Sequence, residues 1–260
     1  MTFVLLAGLG LVIYFTFNSK NGIVHRIKVV YPPNWQQLLE EKVSYYRQLS
    51  EPLKRQFEKD VQGFLARVTI TGVKTEVTFT DRLLVASSGV IPLFGFPACT
   101  YRHLNEVILY PTTFNRQFQL DDPDEMITGM VGSGKMEGKM ILSKPALHEG
   151  FENDHENTAL HEFIHLFDKE NGMIDGVPPG FEDRSFAMPW IQFVHRKIKE
   201  IAEERSDIRA YAAMSPIEFF AVAGEYFFER PELMRQRHPD LYELLTKTFK
   251  QQPHRFLKQS

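Results

Sequence analysis

The segment Leu160-His161-Glu162-Phe163-Ile164-His165-Leu166 holds the side chains best suited to chemistry. On an α-helix, His161 and His165 stand four residues apart and leave the same face, so both imidazoles can reach one metal ion. Glu162 follows the first histidine, where its carboxylate can take a proton from a water activated by that ion. A catalytic zinc site normally has three protein ligands and one open position. The third ligand should come from a separate downstream helix and be His, Glu or Asp. Glu218, in the segment 211–229, is the strongest candidate. Ser215 can cap a helix there, with Pro216 at its first position and Glu218 at the capping-box position. Glu218 therefore has two readings, metal ligand or cap partner. Phe219, Phe220, Val222, Tyr226, Phe227 and Phe228 predict a largely buried helix, and a buried carboxylate needs a partner. Glu225, seven residues on, shares its face, so one glutamate could bind metal while the other supports a ligand. Asp168, three residues past His165, reads equally as an acid that orients an imidazole and as a solvated helix-end acid.

The elements that must position these groups can be read from the remaining pattern. At 260 residues the chain suffices for one substantial domain, and its 43% apolar and 24% charged content is ordinary for a globular protein. A formal net charge of -3 offers no basic face, which argues against a nucleic-acid partner. The single cysteine, Cys99, excludes an internal disulfide framework, and its apolar surroundings predict a packing role. Helical periodicity over about 35–67 breaks near Ser50 and Pro52, and strands are expected at 68–72, 106–110 and 139–143. Thr80 or Asp81 should cap a helix through Leu84, Val85 and Ala86; Asn157 or Thr158 should cap the motif helix. From about 185 to 256 the chain reads as helices broken by prolines. The order predicts one α+β domain, mostly helical with a small sheet. The strand 139–143, just before the motif helix, is expected to be an edge to which an extended peptide could add. His195 and His238 read as exposed, and 205–209 as a solvated charged segment.

Residues 2–17 are an unbroken run of apolar or small side chains. As a helix the run would span about 24 Å, against a hydrocarbon core of about 30 Å, with Lys20 able to snorkel to the headgroups. A signal peptide would need a positive n-region and a small-residue cleavage site, and neither is present. Lys20, Arg26 and Lys28 follow the run and place its C-terminal side in the cytoplasm. The expected organisation is an N-terminal membrane anchor at 1–18, a linker at 19–33 and a catalytic domain at 34–260. That domain would face the cytoplasm from a bacterial inner membrane.

The paired segments Leu160-His161-Glu162-Phe163-Ile164-His165-Leu166-Phe167-Asp168 and Tyr211 through Glu218-Phe219-Phe220-Ala221-Val222 resemble the Mlc titration factor A family of zinc-dependent peptidases. More distantly, they are similar to the catalytic domain of anthrax lethal factor. The likeness extends over most of the chain after about residue 34. It includes Val107-Ile108-Leu109-Tyr110-Pro111, Ile141-Leu142-Ser143, Gly176-Val177-Pro178-Pro179 and Phe227-Phe228-Glu229-Arg230-Pro231. The resemblance implies a zincin-like peptidase domain of the gluzincin type, with one Zn2+ per chain held by His161, His165 and Glu218. It further implies that Glu162 is the catalytic base and that Tyr211 donates to the tetrahedral oxyanion. The substrate would be a peptide or protein. An enterobacterial member binds a glucose-linked transcriptional repressor, so a regulator that sequesters such a partner is the alternative function. The apolar N-terminal run departs from the soluble enterobacterial members.

Overall fold

A computed structural model describes residues 29–253, apart from 98, 121, 123, 154–155, 173 and 180–183. The expected anchor and most of the linker lie outside the described residues. Among the described residues no helix is long and apolar enough to cross a membrane.

The chain opens with α1 (Trp35–Lys42), the single turn α2 (Ser44–Arg47) and α3 (Glu51–Leu65), with the break at Ser50 and Pro52 expected from the sequence. Strand β1 (Thr69–Gly72) leads to α4 (Phe79–Leu93), which starts two or three residues earlier than expected. Its cap is Thr78, whose hydroxyl accepts from the Asp81 amide while the Asp81 carboxylate accepts from the Thr78 amide. Strand β2 (Glu106–Tyr110) follows, then β3 (Gly129–Val131) and β4 (Lys139–Ser143). The helical remainder comprises α5 (Lys144–Glu152), α6 (Thr158–Asp168), α7 (Arg184–Ala202), a 3₁₀ turn at Ala210–Ala213, α8 (Pro216–Glu229), α9 (Pro231–Arg237) and α10 (Pro239–Phe249). The fold is α+β, mostly helical with one four-stranded sheet.

The sheet order is β1-β2-β4-β3, with β1, β2 and β4 parallel and β3 antiparallel to β4. This corrects the expectation that 139–143 forms an edge. Met140 pairs with Val107 on one side and Val131 on the other, so β4 is interior and its apolar residues are buried accordingly. The edge beside the motif helix is β3, whose three residues carry too little pattern to read as a strand.

Helix α6 is buried along its whole length. Leu160, Phe163, Ile164 and Phe167 face the core, while His161, Glu162, His165 and Asp168 form the polar face. Behind it, α4 and α8 each pack closely on α6 at a glycine, Gly89 against Phe163 and Gly224 against Ile164. A Cβ on Gly224 of α8 would lie 2.6 Å from the Ile164 side chain, so glycine is what permits this approach. Phe167 then stacks into an aromatic cluster with Phe220, Phe227, Phe228 and Phe249 that fixes α6 against α8 and α10.

Two sequence expectations fail for tertiary reasons. Cys99 is exposed, at the end of two successive turns after α4 in which the Phe96 amide bonds the Leu93 carbonyl and the Cys99 amide bonds the Phe96 carbonyl. His238 is buried, because it caps the start of α10 and its ring bonds Asp207, a partner distant in sequence.

Candidate metal centre and active site

The polar face of α6 is held in place at its first turn. Asn157 caps the helix, its Oδ1 accepting from the Leu160 amide at 3.0 Å. Its Nδ2 donates to the Gly150 carbonyl and to Glu229 Oε1, and its own amide donates to Glu225 Oε2 at 3.0 Å. One residue thus ties α5, α6 and α8 together.

His161 and His165 sit on adjacent turns with ring centroids 4.6 Å apart and their Nε2 atoms 3.0 Å apart. Glu218 approaches from the first turn of α8. Ser215 Oγ caps that helix by accepting from the Glu218 amide at 3.1 Å, but the Glu218 carboxylate does not return to the Ser215 amide. It turns to the histidines instead, with Oε2 3.0 Å from His161 Nε2 and 3.5 Å from His165 Nε2. The two readings of Glu218 therefore separate cleanly, its amide serving the cap and its carboxylate serving the site. One donor atom from each of His161, His165 and Glu218 falls within 4.8 Å of the others.

Glu225, two turns further along α8, lies behind His161. Its Oε1 accepts from His161 Nδ1 at 2.6 Å and from Arg209 Nη2 at 2.6 Å. A carboxylate at Nδ1 fixes the ring orientation and leaves the Nε2 lone pair aimed at the shared point. Arg209 also binds Glu156 at 3.0 Å, which corrects its reading as part of a solvated charged segment. No local pattern marks Arg209, since its partners lie 16 and 53 residues away.

The electrostatics favour positive charge at this point. Burial alone disfavours an imidazolium, but the Glu218 and Glu225 carboxylates outweigh it and push His161 up to about 10. Glu218, despite burial, is held well below the usual carboxylate range by the two histidines. Glu162 moves the other way: burial raises its affinity for a proton, and the histidines offset this only in part. Buried His165 Nδ1 has no hydrogen-bond partner among the described residues.

Strand β3 passes directly over Glu162. A Cβ on Gly129 would lie 2.7 Å from Glu162 Cγ and 2.6 Å from Thr158 Cγ2, so only glycine fits where the backbone crosses the acid. Tyr211, in the 3₁₀ turn before α8, is 47% exposed, with its ring centroid 5.9 Å from that of His161. Burial first, then the neighbouring Glu218 and Glu162 carboxylates, raise its hydroxyl above the ordinary tyrosine value. A cavity of about 350 Å³ opens beside these groups, lined by Thr128, Gly129, Glu162, Arg209 and Tyr211 among others. Asp168 is fully buried, and burial pushes its carboxyl up to about 7. Its Oδ2 accepts from the Gly176 amide at 2.8 Å, and among the described residues Oδ1 has no hydrogen-bond partner, so it bonds neither imidazole.

The chain matches the family described as glucose-regulated metallo-peptidase M90 over residues 18–250. It belongs to that family. Among its relatives, a protein of Synechocystis sp. is 27% identical over 237 residues, 85% of each chain. Mlc titration factor A of Serratia proteamaculans is 32% identical over 208 residues, covering 75% of this chain and 76% of its own. The Mlc titration factor A of an Escherichia coli strain is 33% identical over 166 residues, 57% and 60% respectively. Membership of the M90 family implies a metal ion, and the donor set present fits one: two imidazole nitrogens, one of them with its tautomer set by a carboxylate, and a carboxylate oxygen.

Proposed function

We propose that this protein is a zinc-dependent peptidase in which His161, His165 and Glu218 hold the ion. The observation that carries this reading is the convergence of their three donor atoms beside Glu162, a buried acid that is none of the three. Two nitrogens, one oxygen and an open side toward the cavity suit catalytic zinc better than a closed structural site. A bound zinc ion would supply an acidified water and polarise the scissile carbonyl.

The chain's own groups do the rest. Glu162 takes the proton from the attacking water and returns it to the leaving amine, a role helped by the raised proton affinity of its carboxylate. Tyr211, exposed to the cavity and still protonated at neutral pH, donates to the developing oxyanion. Glu225 and Arg209 orient His161 from behind. An extended peptide would add along β3, whose Gly129 gives the backbone access to Glu162. The zincin-like architecture is part of this proposal.

A second reading rests on the relatives' printed name, Mlc titration factor A, which points to binding of a regulator partner. Glu162→Gln decides whether such binding is the whole function. It should retain about one zinc per chain while peptide cleavage falls by about 10²–10⁴. Unchanged cleavage would remove Glu162 from the mechanism. For location, the apolar run 2–17 supports a membrane anchor with the domain at 34–260 on the cytoplasmic side. An active periplasmic reporter fused to the C-terminus would overturn that orientation.

A further inference from the structure

On the opposite side of α6 from the metal centre lies a larger cavity of about 540 Å³, within the range of small-molecule sites. It adjoins another of about 290 Å³, and the two share Leu93, Phe96, Cys99, Thr100 and Arg102. Its floor is apolar, built from Phe64, Val90, Leu93, Phe94 and Leu104. The back wall is continuous with the motif helix, since Phe64 and Tyr101 both pack on Phe163 with ring centroids 5.7 and 5.3 Å apart.

The rim has a different character. Lys59, Arg67 and Arg102 line it, with Asp60 as the acid among them. Arg102 is engaged by Glu170, whereas Lys59 and Arg67 feel Asp60 only across a distance, with no close ion pair among the described residues. Asp60 hydrogen-bonds Gln56 at 2.9 Å rather than either cation. Gly63 leaves room for the Arg67 guanidinium to fold back along α3, with Nη1 3.3 Å from where a Cβ would stand. Local desolvation lowers the Arg67 pKa, and the nearby Asp60 charge offsets this only in part. Lys59 and Arg67 share one acid, Asp60, with which neither makes a close ion pair, so the rim keeps a single positive charge above an apolar floor, the complement of a monoanion with an apolar body. The planar guanidinium fork favours a carboxylate.

We propose that this cavity is a second ligand site, for a medium-chain fatty acid or a similar apolar monocarboxylate, with the carboxylate on Arg67 and the chain over Leu93 and Phe94. The site contains none of the metal donors, so the proposal stands or falls independently of the peptidase reading.

Cys99, exposed and the chain's lone cysteine, reports on occupancy, because it lines both cavities. The experiment measures alkylation of Cys99 in the full chain by N-ethylmaleimide, an uncharged reagent, against sodium decanoate below micellisation. Parallel series use 1-decanol and decyltrimethylammonium. Decanoate should slow alkylation about tenfold at saturation, and the other two should require at least about tenfold higher concentration. Arg67→Ala should raise the decanoate midpoint about tenfold, a substitution at an exposed side chain that leaves the core intact. Leu93→Trp, which fills the floor but keeps the rim, should abolish protection. No protection by decanoate, equal protection by all three compounds, or an unchanged midpoint in Arg67→Ala would each overturn the proposal.

Discussion

Two of the clusters that join histidine to carboxylate differ in kind, and only one of the two has the makings of a metal centre. At the first, Asp207 receives Tyr226 Oη at 2.7 Å, Arg237 Nη1 at 2.8 Å and His238 Nε2 at 2.6 Å. Every donor there points at one carboxylate, and the cluster is complete as it stands. At the second, the lone-pair atoms of His161, His165 and Glu218 point at one another across a shared space, while Glu225 holds His161 from outside. The difference is direction. A structural cluster converges donors on an acceptor; a metal site converges ligand atoms on a point, where a metal ion, or a proton on an imidazole, relieves their mutual repulsion.

The sharpest way to break this comparison is to remove one group from each cluster. Glu218→Ala or His161→Ala should eliminate zinc from the purified protein, read by elemental analysis, while His238→Ala should leave zinc content unchanged. Retention of stoichiometric zinc in Glu218→Ala would dissolve the distinction between the clusters. A smaller effect is expected behind the site: Glu225→Gln should weaken zinc affinity about 10–100-fold, measured by chelator competition. An unaltered affinity would show that Glu225 merely fills space.

Removing His238 should act on stability instead. It leaves a partner of Asp207 unmet, and the urea midpoint should fall by the equivalent of about 1–3 kcal/mol. The smallest effect concerns pH. Asp207 is depressed to about 2, because its hydrogen bonds to Tyr226, His238 and Arg237 outweigh the desolvation that would raise it. A depressed carboxylate contributes stability that is fully present above its unfolded value of about 3.8 and is lost as pH falls toward about 2. Urea midpoints for Asp207→Asn should therefore lie below those of the parent at neutral pH and approach them between about pH 4 and pH 2. Parallel curves across that window would mean that Asp207 titrates alike in the folded and unfolded chain.

How far the site could be read in advance depended on range. His161, Glu162 and His165 were legible because helical geometry alone places residues four apart on one face. Glu218 was legible as a candidate only, since its position also suits a cap, and the choice turned on where its carboxylate points. Arg209 was missed altogether, because a cation among charged neighbours looks solvated until Glu225, buried on another helix, is brought to it. The buried His238 was missed for the same reason. The sheet shows the limit from another side. Periodicity revealed β2 and β4, yet the three-residue β3 left no pattern, so the strand lying over Glu162 could not be named and β4 was mistaken for the edge.

By itself the sequence determined the local chemistry: a helix with two imidazoles and an acid on one face, capped at Asn157 or Thr158, within a mostly helical α+β domain. Those properties depend on backbone geometry over a few residues, which spacing encodes directly. Tertiary structure alone decided that the Glu218 carboxylate faces the histidines, that Glu225 and Arg209 stand behind them, and that β3 is the edge over Glu162. It also decided that an apolar cavity with a cationic rim lies on the far side of the same helix. These depend on how distant segments pack, and the close approach at Gly224 and Gly129 that brings them together is a property of the assembled core.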